Sequence, residues 1–102
     1  MQRVNWEHFH LSHEILSAEQ ILYKAAEIQK ERGKTRDVEQ NHSMSFCVDA
    51  FNHLTGHTLS EKDGWTFMVL LKLSRAQQGE HHDDDYLDAV GYAALLAECA
   101  CK

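Results

Sequence analysis

The chain has 102 residues, a formal net charge of -6, no proline and five glycines, and 43% of its residues are hydrophobic. A chain of this length predicts one domain with one core, and the shortage of turn-forming residues argues against an all-β fold. The negative charge disfavours binding to nucleic acid, and no apolar run approaches the roughly 18 residues that a membrane span needs.

The first segment, residues 1–16, shows no periodic pattern, and we expect it to be irregular and to precede a single helical domain over residues 17–102. It lacks the apolar core of a secretory signal. The chain has three cysteines and no CxxC pair, which favours free thiols in a reducing compartment. These features predict a cytoplasmic protein.

Apolar residues then recur at helical spacing in four segments, which are bounded by capping residues or by glycine. These segments lie at residues 17–33, 43–55, 61–78 and 83–102. The polar stretch between the first two, residues 33–42, is predicted to be a loop. The connection between the last two helices is short, so they should be antiparallel neighbours. The sequence therefore predicts an all-α fold of about four helices in a small bundle, with a C-terminal antiparallel helical hairpin.

The last two helices differ from the first two, because residues 65–73 and 87–101 are apolar on nearly every side. Helices of this kind are buried at the centre of a fold or in a subunit interface. Four helices in a chain of this length offer too few partners to enclose both of them. We therefore predict a homodimer.

Four charged residues interrupt the apolar hairpin. Lys72 and Arg75 share one face of the third helix, and Asp84 and Asp88 share one face of the fourth. A rise of about 1.5 Å per residue places Arg75 level with Asp84 or Asp85, and Lys72 level with Asp88. Because an unpaired buried charge is costly, we predict these pairs as interhelical contacts.

Two interpretations of these charges stay open at this point. In the first, they are structural ion pairs that fasten the hairpin. In the second, carboxylates hold Mg²⁺, which prefers oxygen ligands, while Lys72 and Arg75 receive phosphate. The first helix would contribute a further carboxylate pair if it packs across the hairpin. The candidate metal ligands are Asp84, Asp85, Asp88, Glu27 and Glu31.

The run LLKLSRAQQGEHHDDDYLDAVGYAALLAE, residues 70–98, contains Lys-x-x-Arg, an acidic cluster and Asp-x-x-Gly-Tyr-Ala-Ala-Leu in that order. In these motifs it resembles a family of small all-α proteins from phages and prophages. The runs at residues 25–34 and 43–72 look like the same family, so the resemblance covers roughly residues 17–100. It implies a protein of a phage or prophage in the cytoplasm of a bacterial host.

This family is in turn distantly similar to the MazG-type all-α nucleotide pyrophosphohydrolases. Those enzymes cleave nucleoside triphosphates to monophosphate and pyrophosphate, using Mg²⁺ held by Glu-x-x-Glu and Glu-x-x-Asp on neighbouring helices. Asp85 and Asp88 have the second spacing, with Asp in place of Glu. Glu27 and Glu31 are four residues apart instead of three, so this chain departs from the first motif.

Two functions from different classes follow. The first is Mg²⁺-dependent hydrolysis of a nucleoside triphosphate, or a degenerate form of it, in which Lys72 and Arg75 would stabilise the developing phosphate charge. The second is a non-enzymatic phage accessory protein that binds a host protein through its acidic helical surface, with a purely structural hairpin.

Overall fold

The structure is a computed structural model that describes residues 15–39 and 43–102, and the side chains of residues 15–34 and 43–102. These ranges form four helices and contain no strand: α1 Ala18–Glu39, α2 Ser43–Thr55, α3 Glu61–Ala76 and α4 Asp83–Ala100. The predicted all-α fold is confirmed. Residues 1–14 lie outside the described ranges, so an irregular segment there stays a prediction. Within the described ranges, no helix is long and apolar enough to cross a bilayer.

Helix α1 begins where the capping pattern predicts and ends later than predicted. The Gln20 N–H donates to Ser17 Oγ (3.1 Å), and the Ser17 N–H donates to Gln20 Oε1 (2.8 Å). The helix continues through Gly33 to Glu39, so the prediction of a loop is wrong for residues 33–39. A single glycine costs a helix only about 1 kcal/mol, and no proline interrupts this stretch, so nothing forces the helix to stop.

The connection between α2 and α3 is ordered by side-chain hydrogen bonds to the backbone. The Asn52 amide donates to the Leu59 carbonyl (2.8 Å), and Asn52 Oδ1 accepts from the Leu59 N–H (2.8 Å). Gly56 has a φ of 76°, which glycine adopts without the steric cost of a Cβ. The Asp63 N–H donates to Ser60 Oγ (3.2 Å) and the Ser60 N–H donates to Asp63 Oδ2 (2.8 Å), which forms the capping box of α3.

We expect Ser60→Ala to lower the free energy of unfolding by about 1 kcal/mol, because the first turn of α3 loses a side-chain acceptor for its Asp63 N–H. Urea unfolding followed by circular dichroism measures the change. Ser74→Ala is the matched control, since Ser74 is exposed within the same helix. A loss of the same size in both variants would mean that the cap does not contribute.

The hairpin of α3 and α4 is the centre of the fold. Trp65 of α3 stacks on Tyr92 of α4, with ring centroids 6.0 Å apart. Helix α1 packs on α4, and α2 packs on α3. The buried apolar residues of the described ranges are few and mostly small, and they are Ala25, Val48, Leu87 and Ala89. Helices α1 and α2 are therefore attached to different helices of the hairpin, α1 to α4 and α2 to α3.

Candidate functional site

The centre of the candidate site is an ion pair between the two hairpin helices. Lys72 Nζ lies 3.0 Å from Asp88 Oδ2, and the two side chains are only 15% and 18% exposed. Both groups lie in helices that are otherwise largely apolar. Each charge neutralises the other, so neither is buried without a partner. The predicted contact between Lys72 and Asp88 is confirmed.

A second ion pair lies one turn nearer to the connection between the helices. Arg75 Nε is 3.6 Å from Asp85 Oδ1. The aspartate is buried, with 7% of its side chain exposed, whereas the arginine is 61% exposed. The sequence left Arg75 with two alternative partners, and the structure selects Asp85. Asp84 lies at the exposed side of the same first turn.

Helix α1 contributes a residue that the sequence did not predict. Arg32 Nη2 lies 3.6 Å from Asp88 Oδ1, so Asp88 is contacted by cations from two different helices. Arg32 follows buried Ala25 by seven residues and Gln29 by three, which places all three on one stripe of the helix. The same stripe meets α4, because a Cβ on Gly91 would come within 2.6 Å of Gln29 Nε2. The sequence carries no clear signal for Arg32, since the apolar residues of α1 lie on several sides of the helix.

We call the group formed by these contacts the charged cluster. It joins α1, α3 and α4, and its members are Arg32, Lys72, Arg75, Asp85 and Asp88. Three cations meet two mostly buried carboxylates, so the cluster itself carries one excess positive charge. Its geometry ties three helices together at one level of the fold.

The predicted acids of α1 do not join the charged cluster as metal ligands. Glu31 points away from it, is 73% exposed and pairs with Lys34 on its own helix at 3.3 Å. Glu27 lies one turn earlier on the same side of α1 as Glu31. Among the residues that the structure describes, no three acidic, histidine or cysteine side chains are close enough together to hold a metal ion.

The two buried carboxylates are also unsuited to Mg²⁺ in this arrangement. The carboxylate oxygens of Asp88 face Lys72 and Arg32, and Asp85 faces Arg75. A magnesium ion requires free oxygen lone pairs in near-octahedral geometry, and it would stand beside an ammonium and two guanidinium groups. The residues present therefore do not fit the magnesium site that the MazG-type resemblance implies.

The first turn of α4 concentrates acidic residues at the positive end of the helix dipole. His81 Nε2 lies 2.7 Å from Asp83 Oδ1, and the His81 ring stacks on Tyr86 with centroids 5.7 Å apart. His82 precedes the helix and makes no side-chain cap bond. These contacts account for the acidic start of α4 as local helix stabilisation.

The fold and the charged cluster define a small all-α protein whose C-terminal hairpin is fastened by ion pairs. The DUF6378 family, described as a domain of unknown function, matches residues 20–100, and the chain belongs to this family. No curated protein matches the chain, and no solved structure matches it. The family match covers nearly the same residues as the resemblance described above. Phage origin and a relation to MazG-type enzymes stay predictions.

Proposed function

We propose that this chain is a non-enzymatic protein that acts by binding another protein, and that its charged cluster is structural. The observation that supports this proposal is that both mostly buried carboxylates, Asp85 and Asp88, are neutralised by cations of the same chain. Each of these carboxylates already forms an ion pair that connects two helices. It could bind a ligand only if that ion pair were broken.

The energetic argument concerns the pair of Lys72 and Asp88. For Mg²⁺ to bind Asp88, this pair would have to open, and a mostly buried ammonium would remain beside a divalent cation. Both the lost pairing and the repulsion between like charges oppose such a step. Fastening α1, α3 and α4 requires no such rearrangement. The observed contacts therefore support a structural role without any rearrangement, whereas Mg²⁺ binding would require one.

The charge outside the cluster favours a protein partner with a basic surface. The chain has 16 acidic and 10 basic residues, and the cluster uses three of the basic residues but only two of the acidic ones. The rest of the surface is therefore acidic. A negatively charged surface speeds association with a basic protein and repels nucleic acid. This supports the acidic accessory protein over a binder of DNA or RNA.

A Mg²⁺-dependent pyrophosphohydrolase of nucleoside triphosphates is the second candidate. The observation in its favour is that Arg32, Lys72 and Arg75 converge beside two carboxylates three residues apart. Arg32 and Arg75 are about half exposed and lie 3.6 Å from their partners, which leaves guanidinium donors that could meet phosphate. A host protein and a nucleoside triphosphate are thus the alternative binding partners.

A pyrophosphate-release assay decides between the two candidates. The purified chain is incubated with each nucleoside triphosphate and with Mg²⁺ or Mn²⁺, and its melting temperature is measured with and without each metal. We expect no turnover and no metal-dependent rise in melting temperature. Turnover that is lost in both Asp88→Asn and Arg75→Ala would overturn the proposal. Circular dichroism checks that both variants are folded, because Arg75→Ala leaves the buried Asp85 carboxylate without its cation.

Binding itself is tested by capture from a bacterial lysate at low and at raised salt. We expect a captured protein with a basic surface that is released by salt, because contacts between exposed charges are screened. A captured protein that salt does not release would argue against recognition through the acidic surface.

A further inference from the structure

The charged cluster contains one cation more than its two carboxylates neutralise. Asp88 already has a close partner, because Lys72 Nζ lies 3.0 Å from its Oδ2. Arg32 is a second cation on the same carboxylate, at 3.6 Å from Oδ1, and Asp85 has its own partner in Arg75. One positive charge therefore remains unbalanced within the cluster.

The two arginines of the cluster are held less closely than the lysine. The closest approach of each guanidinium to its aspartate is 3.6 Å, whereas a charge-assisted hydrogen bond measures about 2.7–2.9 Å. Arg32 is about half exposed and Arg75 is mostly exposed, while Lys72 is mostly buried. Because a guanidinium carries five N–H donors in a planar fork, both arginines present donors at the surface of the protein.

The two guanidinium groups flank the same stretch of α4. Arg32 reaches it from α1 and Arg75 reaches it from α3. Their partners, Asp88 and Asp85, are three residues apart on one side of α4, where the Cβ atoms of such neighbours are about 5–6 Å apart. A tetrahedral oxyanion between the two forks would accept hydrogen bonds from both, since the guanidinium fork matches the geometry of phosphate oxygens.

We propose that the charged cluster binds the phosphate group of a small ligand through Arg32 and Arg75, without a metal ion. The Lys72 ammonium adds to the positive potential of the site, and both aspartates keep their ion pairs. The bound phosphate would also link α1 to α3, because it contacts one residue of each. The proposal requires neither hydrolysis nor a protein partner, so it does not depend on the proposed binding function.

Titration of inorganic phosphate into the isotope-labelled protein tests this proposal. Nuclear magnetic resonance follows the guanidinium and backbone N–H signals in a metal-free buffer, with ionic strength held constant by chloride. The chain has a net charge of -6, and Asp84 adds an exposed acid to the first turn of α4, so anions have no general attraction to it. We expect saturable shifts of the Arg32 and Arg75 side-chain signals.

A second titration distinguishes the two sources of a phosphate group. It uses phenyl phosphate, a simple phosphate monoester, under the same conditions. Tighter binding of the ester would support a ligand that carries its phosphate as an ester, and tighter binding of inorganic phosphate would support free phosphate. Both results support the site. Failure of both compounds to shift the two arginine signals would overturn the proposal.

Lysine variants separate phosphate binding from the structural role of the arginines. Arg32→Lys and Arg75→Lys keep the charges that neutralise the aspartates, so both should fold, which circular dichroism checks. Each should raise the phosphate dissociation constant by about tenfold, because an ammonium does not replace the planar fork. Lys62→Gln is the control, since it removes an exposed positive charge about 20 Å from Arg75 along α3. An unchanged constant in either arginine variant, or equal weakening in Lys62→Gln, would overturn the proposal.

Discussion

Replacement of Asp88 by alanine should lower the free energy of unfolding by about 3 kcal/mol, because it leaves the mostly buried Lys72 ammonium without its carboxylate. Arg32 loses its contact at the same time. For a domain of this size, we expect the melting temperature to fall by roughly 10–20 °C. Urea unfolding and thermal melting, measured at one fixed protein concentration, determine the change.

A double variant separates the lost pair from the lost side chain. Lys72→Met combined with Asp88→Leu removes both charges and keeps apolar volume, so it should recover most of the stability lost in Asp88→Ala. Arg32→Ala alone should cost much less, because Arg32 is about half exposed. If Asp88→Ala is no less stable than the surface variant Glu98→Ala, the structural role of the charged cluster is refuted.

The sequence predicted the hairpin contacts correctly because geometry determines them. A short connection makes two helices antiparallel, and the fixed rise of a helix then sets which residues are level. The contact of Lys72 with Asp88 follows from that register alone. The register left Arg75 level with Asp84 or Asp85, and the structure was needed to identify the contact with Asp85.

The contribution of α1 could not be predicted in the same way. Helix α1 is separated from the hairpin by α2 in the sequence, so no direct connection sets its register against the hairpin, and only a clear apolar stripe would fix which side packs. Helix α1 has apolar residues on several sides, with Leu22 and Tyr23 exposed while Ala25 is buried. The expectation for Glu27 and Glu31 assumed a side that does not face the hairpin.

The length of α1 shows a limit of local signals. Polar composition and Gly33 indicated a loop, but neither prevents a helix whose outer side is solvated. The apolar circumference of α3 is a related case. It predicted contacts on nearly every side of the helix, whereas Phe67 and Leu70 are exposed in the single chain, and the homodimer stays a prediction.

Gly64→Leu should lower the free energy of unfolding by about 2 kcal/mol, which is the second largest effect that we expect. A Cβ at this position would overlap Met44 Sδ, and it would lie 3.0 Å from Val48 Cγ2 and 3.2 Å from Met44 Cγ. Overpacking of this kind costs about 1–3 kcal/mol, against which the better helix propensity of leucine returns up to about 1 kcal/mol. Urea unfolding measures the net effect.

The helix that Gly64→Leu destabilises shows whether the clash with α2 is the cause. Helix α2 packs on α3 and makes few other contacts, so the clash at Gly64 should detach α2 while the hairpin remains. Hydrogen exchange should therefore speed up in α2 and stay slow in α4. Met44→Ala provides the control, because the thioether is the nearest obstacle to a side chain at Gly64. Gly64→Ala should cost less in the Met44→Ala background than in the wild type, and equal costs in both would show that close approach to Met44 is not what requires glycine here.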